Sequence, residues 1–317
     1  MALELQIPSP LTKVLQKHGV EIWLKRDDLI HPKVSGNKWR KLKFYLEDFK
    51  QSGSAEILTF GGAFSNHLAA TAAVGKQLGI ATSALVRGHE LSNNATLDYC
   101  RGQGMRLEMI SRADYRTKDD PDFLAALRVL KPRAYIIPEG GKGPLGTQGC
   151  IEILNEVPLG FDYICAAAAT GTTMAGMLLS DYSANYLAFA ALKDQGFLKR
   201  AIANQVLALA SKFSIAGGAE KKLNQHFFVQ QDYHFGGYAK SSAELIEFMN
   251  NFYRKTGVKL DPVYTGKMLY GILDLAEKDY FKKGTKILAL HSGGLQGIAG
   301  MNEKLRKQHK TTLEYDA

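Results

Sequence analysis

Cysteine is scarce: three of 317 residues, at 100, 150 and 165. They form no CxxC pair and no even framework, which argues against a disulfide-stapled fold and for reduced thiols in a cytoplasm. The eight histidines fall into no HxxxH or HExxH spacing, so no metal site is expected. No apolar run reaches the ~20 residues that a membrane-spanning helix needs. The opening MALELQIPSP also lacks the charged-then-apolar layout of a signal peptide. A cytoplasmic protein with no membrane partner is the expectation. A GxSxG elbow, an internal repeat and a low-complexity linker are all missing, and the first of these absences argues against an α/β hydrolase. Acids are in deficit, with 31 Asp and Glu against 40 Lys and Arg, a formal charge of +9. The cations are scattered among acids except in KWRKLK and EKLRKQHK. They read as solvated helix faces, and no nucleic-acid partner is expected.

What is present is alternation. Apolar runs of strand length recur at 21–25, 55–60, 82–86, 106–110, 134–138, 162–169, 185–191, 226–230 and 285–291. Helix-length amphipathic stretches lie between most of them, such as NHLAATAAVGKQLG at 66–79 and SAELIEFMNNFYRK at 242–255. This order predicts an α/β fold of parallel sheets covered by helices. The Gly-rich PEGGKGPLGTQG at 138–149 is the one obvious lobe boundary. It predicts two lobes, residues 1–40 with 148–317 forming the larger and 41–147 the smaller.

Ligands of parallel α/β sheets collect beyond the carboxyl ends of strands, where this chain places small polar residues. In LTFGGAFSNHLAA, Ser65 and Asn66 suit a helix N-cap, and the same geometry suits a bound carboxylate. In AAAATGTTMAG, Thr170 to Thr173 open a helix that suits a simple cap or a phosphate. A Walker A loop is excluded there, because Met177 stands where Lys is required. LALHSGGLQG is a sharp turn or a point of close ligand approach. In DPVYTGK, Asp261 and Pro262 read as an N-cap with proline at the first helical position. The PEGGKG turn carries no chemical role beyond a hinge. Taken together, an anion cradle, a second anion-binding helix start and a lysine in SGNKWRKL suggest pyridoxal phosphate, whose aldehyde needs an amine and whose phosphate needs a nest.

The set KRDDLIHPKVSGNKWRKLK, GGAFSNH, TGTT, FGGY, LDPVYTGK and HSGG resembles the 1-aminocyclopropane-1-carboxylate (ACC) deaminase / D-cysteine desulfhydrase family of pyridoxal-phosphate enzymes. These have the tryptophan-synthase-β-like architecture, fold type II. The motifs run in family order from about residue 8 to about 297; between about 178 and 230 the likeness rests on element order. The resemblance implies that Lys38 forms the Schiff base with pyridoxal 5'-phosphate and relays the α-proton. It implies that Asn66 bonds the cofactor's phenolic oxygen, that Ser65 stands beside the substrate, and that Ser65, Asn66 and His67 take the substrate carboxylate. It assigns the phosphate to Thr170, Gly171, Thr172 and Thr173, and turns Tyr238 and Tyr264 toward the substrate. Arg40 and Lys41 are expected at the lobe surface. A small amino-acid substrate and a homodimer are further implications.

Two positions divide this family. ACC deaminases typically carry Glu after the DPVY tyrosine and Leu before the last Gly-Gly. Here Thr265 and Ser292 stand there, as in D-cysteine desulfhydrase-type members. A carboxylate stabilises a protonated pyridine ring, whereas a threonine hydroxyl serves a neutral ring, a weaker electron sink. Expelling a thiol from the β-carbon makes do with the weaker sink, so these residues favour elimination from D-cysteine to pyruvate, ammonia and sulfide. The rival on the same scaffold is ACC deamination to 2-oxobutanoate and ammonia. Racemisation or dehydration of a D-amino acid, and a non-catalytic cofactor- or nucleic-acid-binding role, are more remote.

Overall fold

The structure, a computed structural model, describes residues 3–34, 36–89, 94–193, 196–212 and 216–316. In chain order its strands are β1 (Leu11–Lys17), β2 (Val20–Lys25), β3 (Glu56–Gly61), β4 (Ala81–Arg87), β5 (Arg106–Ile110), β6 (Ala134–Ile137), β7 (Tyr163–Ala168), β8 (Asn185–Ala190), β9 (Phe227–Gln230) and β10 (Lys286–Leu290). They form a six-stranded sheet, β1-β2-β10-β7-β8-β9, and a four-stranded sheet, β5-β4-β3-β6. All nine runs predicted as strands are strands. Burial alternates along the central ones: Ile164, Ala166 and Ala168 enter one core with Tyr186 and Leu288, while Cys165 enters the opposite core with Leu187 and Ile287. A sheet buried on both faces is why these strands read as unbroken apolar runs.

The tenth strand was not foreseen. LTKVLQK forms β1, antiparallel to β2 at the sheet edge. His18 and Gly19 between them both have positive φ, 50° and 78°, the backbone that a two-residue hairpin turn requires. The other strand pairs among the described residues are parallel.

Three helices, Asn37–Gln51, Pro144–Asn155 and Thr172–Leu179, lie side by side. Glycines allow it. A Cβ on Gly149 would stand 1.8 Å from the Arg40 carbonyl, and one on Gly176 would stand 2.4 Å from Cys150 Cβ. This stack carries the start of the first helix to the start of the third. The first helix also packs Leu42, Tyr45, Leu46 and Phe49 into a core shared with Ile57 and Ile137 of the smaller sheet.

The expectation that Arg40 and Lys41 lie at the surface is wrong; they are 1% and 4% exposed. Arg40 donates to both carboxylate oxygens of Asp27, at 3.1 and 3.0 Å, and to Glu156 at 2.8 Å. Lys25 adds a bond to Glu156 at 2.7 Å, and Ser9 one to Asp27 at 2.6 Å. Burial alone would raise the Glu156 carboxyl, but the hydrogen bonds from Arg40 and Lys25 outweigh it and hold the group down at about 2. The Asp27 carbonyl also accepts from Gly36 N–H at 2.8 Å, so this buried ionic cluster anchors the turn before Lys38.

Candidate functional site

The loops after β3, β7 and β10 all leave carboxyl ends of parallel strands. In both sheets the chain reverses its strand order at that point, next to β3 and next to β7, which is where α/β sheets open a crevice.

Lys38 begins the Asn37–Gln51 helix. The turn before it needs glycine: Gly36 has φ +65°, and a Cβ there would stand 1.8 Å from the Ser292 carbonyl. That carbonyl accepts from Asn37 N–H at 3.3 Å, so the SGNK and HSGG motifs meet backbone to backbone. Lys38 Nζ is partly enclosed and bonds Asn37 Oδ1 at 3.1 Å. Burial and then the charge of Lys41 pull its amine from the usual lysine range to about 7, which favours the neutral, nucleophilic form near neutral pH. Asn37 Nδ2 reaches Thr173 Oγ1 at 3.0 Å. Lys41 follows Asn37 by one helical turn and shares its face. It forms no ion pair or side-chain hydrogen bond among the described residues, and burial lowers its pKa too. A little-exposed lysine beside a helix start, with no carboxylate at ion-pair distance among the described residues, suits an anion.

The Thr172–Leu179 helix supplies the cradle. Its N-cap, Gly171, has φ +79° and lies against Ile202. Thr170 is exposed, whereas Thr172 and Thr173 are 0% and 5% exposed. Thr172 Oγ1 donates to Gln205 Oε1 at 2.9 Å, and Gln205 Nε2 donates back to the Thr170 carbonyl at 2.8 Å. The Thr172 hydroxyl hydrogen is thereby engaged, and the loop offers an anion its backbone N–H groups. Gln205 was missed because no sequence signal links a side chain on the next helix to this loop.

Opposite lies the Asn66–Leu78 helix, where Ser65 Oγ caps Leu68 N–H at 3.3 Å as expected. Asn66 approaches the loop after β10: a Cβ on Gly294 would be 2.7 Å from Asn66 Nδ2 and 3.5 Å from Asp261 Cγ. His67 turns inward. Thr59 Oγ1 donates to the Ile137 carbonyl at 2.8 Å, so it accepts from His67 Nε2–H at 2.8 Å, which leaves Nδ1 as a buried lone pair without a partner among the described residues. Burial, then Lys38 and Lys41, push the ring down to about 3, so it is neutral. What His67 offers a carboxylate is its backbone N–H.

DPVYTGK differs in detail from the expected N-cap. Asp261 is 1% exposed and accepts from Val263, Tyr264 and Thr265 N–H at 2.9, 2.7 and 2.8 Å, but the helix starts four residues later, at Thr265. Thr265 Oγ1 donates to Asp261 Oδ2 at 2.6 Å and accepts from Asp261 N–H at 3.0 Å. Its hydrogen is engaged, so it presents only a lone pair to anything else. Burial, and then Tyr238, raise the Tyr264 phenol well above its ordinary value. The Tyr238 and Tyr264 rings pack edge to face, 6.3 Å apart. Ser292 is partly buried in the loop whose carbonyl meets the Lys38 turn. Among the described residues, no cluster of His, Cys, Asp and Glu is placed to hold a metal, and no helix is long and apolar enough to cross a membrane.

A phosphorylated aldehyde fits this donor set. Lys38 has a depressed amine, Lys41 is a little-exposed lysine without a counter-ion among the described residues, and the Thr172 helix start offers its first N–H groups. The comparisons agree. The chain is 31% identical over 305 residues to the bifunctional D-cysteine desulfhydrase/1-aminocyclopropane-1-carboxylate deaminase of Arabidopsis thaliana, covering 89% of this chain and 74% of that protein. It is also 31% identical over 300 residues to the D-cysteine desulfhydrase of Salmonella schwarzengrund, covering 88% of each. A crystal structure titled as an ACC deaminase homologue superposes with a TM-score of 0.78 at 26% identity, covering 96% of this chain and 94% of that one. The two-sheet architecture is fold type II. The model of the pyridoxal-phosphate dependent enzymes matches residues 3–293, and the chain belongs to that family, with pyridoxal phosphate as its cofactor.

Proposed function

We propose that the protein is a D-cysteine desulfhydrase-type lyase that converts D-cysteine and water to pyruvate, ammonia and hydrogen sulfide. The observation that carries this reading is the pair Thr265 and Ser292, with an uncharged Thr265 oxygen, its hydrogen held by Asp261, where a deaminase-type site has a carboxylate. Bound pyridoxal phosphate supplies an electron sink that acidifies the α-C–H of an amino acid. The chain does the rest. Lys38 attaches the cofactor and, released from it, moves the α-proton. Lys41 and the Thr172 helix start bind the phosphate, and Asn66 orients the ring. Ser65 and the N–H groups of Asn66 and His67 take the substrate carboxylate, while Tyr238 and Tyr264 face the side chain being expelled. The Tyr264 phenol stays protonated and acts as a donor. We read residues 41–147 as the smaller lobe and 1–40 with 148–317 as the larger, in a cytoplasmic homodimer.

The test is release of keto acid, ammonia and sulfide by the holoenzyme from D-cysteine, L-cysteine, D-serine and ACC. Pyruvate and sulfide from D-cysteine, with far slower ACC turnover, is the expected outcome. Efficient 2-oxobutanoate formation from ACC with inert D-cysteine would assign the chain to the deaminase reading.

A further inference from the structure

Lys267 ends the DPVYTGK motif and has no role in the chemistry above. It is 2% exposed and has no carboxylate at ion-pair distance among the described residues. Its Nζ instead donates to two backbone carbonyls of one loop, His234 and Gly237, each at 2.8 Å. Burial lowers the amine to about 8, with Asp261 opposing. An enclosed lysine spent on two carbonyls is an expensive way to hold a loop unless the loop resists.

This loop does resist. Phe235, Gly236, Gly237 and Ala239 all have positive φ, at 51°, 90°, 116° and 52°, and two of them are not glycine. The segment is laid along one face of the Thr265–Glu277 helix, at positions 267, 271 and 274. Tyr233 packs on Gly271, where a Cβ would come within 2.8 Å of its ring, and its hydroxyl donates to Asp274 at 2.6 Å. Phe235 meets Tyr270 edge to face at 5.0 Å. Past these anchors the next side chain is Tyr238, 49% exposed and edge-on to Tyr264. Lys267 holds the backbone before Tyr238 from inside, and Lys304 Nζ, an exposed contact, reaches the Ala239 carbonyl after it at 3.2 Å.

We propose that Lys267 is the positioning residue that clamps the 234–240 loop in its left-handed form and thereby sets Tyr238 over Tyr264 as one wall of the substrate side of the site. The proposal deepens the reading above and rests on it for the substrate. An amino acid is then sensed through the clamp, whereas cofactor binding is not.

The experiment uses the holoenzyme with Lys267→Met, which keeps the length and removes the donors, and Lys267→Arg, which keeps the charge. Hydrogen exchange is followed peptide by peptide without substrate, and KM and kcat are measured with D-cysteine. In Lys267→Met, exchange across 234–240 is expected to rise at least tenfold with the Asn37–Gln51 helix unchanged. KM is expected to rise at least tenfold with kcat within about threefold, and cofactor affinity to stay unchanged. Lys267→Arg should recover part of the protection and of KM. Unchanged exchange at 234–240, or a loss of cofactor that accounts for the loss of activity, would overturn the clamp. The exchange measurement needs no turnover, so inert D-cysteine would sink the substrate assignment and leave the clamp to be judged on its own result.

Discussion

Replacing Lys41 with methionine separates two effects that the geometry joins. In the apoprotein Lys41 is a buried cation with no partner among the described residues, so Lys41→Met should leave the apoprotein at least as stable and raise its Tm. In the holoenzyme the same ammonium stands one helical turn beyond Asn37, which touches Thr173 at the cradle. A charge-assisted hydrogen bond is worth about 1.5–3 kcal/mol, so losing it should weaken pyridoxal phosphate binding roughly 10- to 150-fold. The decisive assay titrates apoprotein with pyridoxal phosphate and with pyridoxal, which lacks the phosphate. If Lys41 acts on the phosphate, the preference for the phosphorylated form should fall by that whole factor. The pH midpoint of aldehyde capture should also move up from about 7, because Lys41 is second only to burial in depressing Lys38. An equal preference in wild type and variant would refute the assignment of Lys41 to the phosphate.

Lys38→Ala should abolish the visible band of the covalently held cofactor and all turnover, while the cradle retains some phosphate-held cofactor; spectra before and after dialysis check this. Glu156→Gln should destabilise the fold by about 3 kcal/mol, the worth of lowering a carboxyl from 4.5 to about 2, read by denaturant unfolding. Because the folded value is the lower one, this stabilisation is present above pH ~4.5 and lost as pH falls toward 2, so wild type and variant should converge in acid. Gly36→Ala must accept φ +65° and a Cβ 1.8 Å from the Ser292 carbonyl. It should cost about 2–4 kcal/mol and lower cofactor occupancy with it, checked by Tm and by cofactor content.

The strands were legible because strands buried on both faces of parallel sheets leave long apolar runs, and the junction loops because glycine and small hydroxyl residues gather where backbone must approach a ligand. The gaps have physical reasons as well. β1 is an edge strand whose residues are nowhere fully buried, so LTKVLQK shows no clean period. Arg40 and Lys41 looked solvated because their surroundings come from afar: the Arg40 partners Asp27 and Glu156 lie 13 and 116 residues away. The direction of the Thr265 hydroxyl was beyond any motif, since it depends on Asp261 turning back onto residues 263–265.

That last contact changes the argument about the ring. From sequence, a threonine at 265 serves a neutral pyridine by donating to it. In the structure the hydroxyl hydrogen lies on Asp261, so a ring nitrogen opposite Thr265 would meet an acceptor and favour its protonated form. The carboxylate of this site is then one hydroxyl removed from the ring rather than absent. Asp261→Asn distinguishes the two cases. Its Oδ1 still accepts from Val263 and Tyr264 N–H, and Nδ2 in place of Oδ2 gives up the Thr265 N–H bond but donates to Thr265 Oγ1, which frees the hydroxyl to donate to the cofactor. The 15N shift of the bound ring nitrogen should therefore move from pyridinium-like in wild type to pyridine-like in the variant. A pyridine-like shift in wild type would return the site to the neutral-ring reading, whereas a pyridinium-like shift leaves the choice between D-cysteine and ACC to rest on the shape of the Ser292 wall.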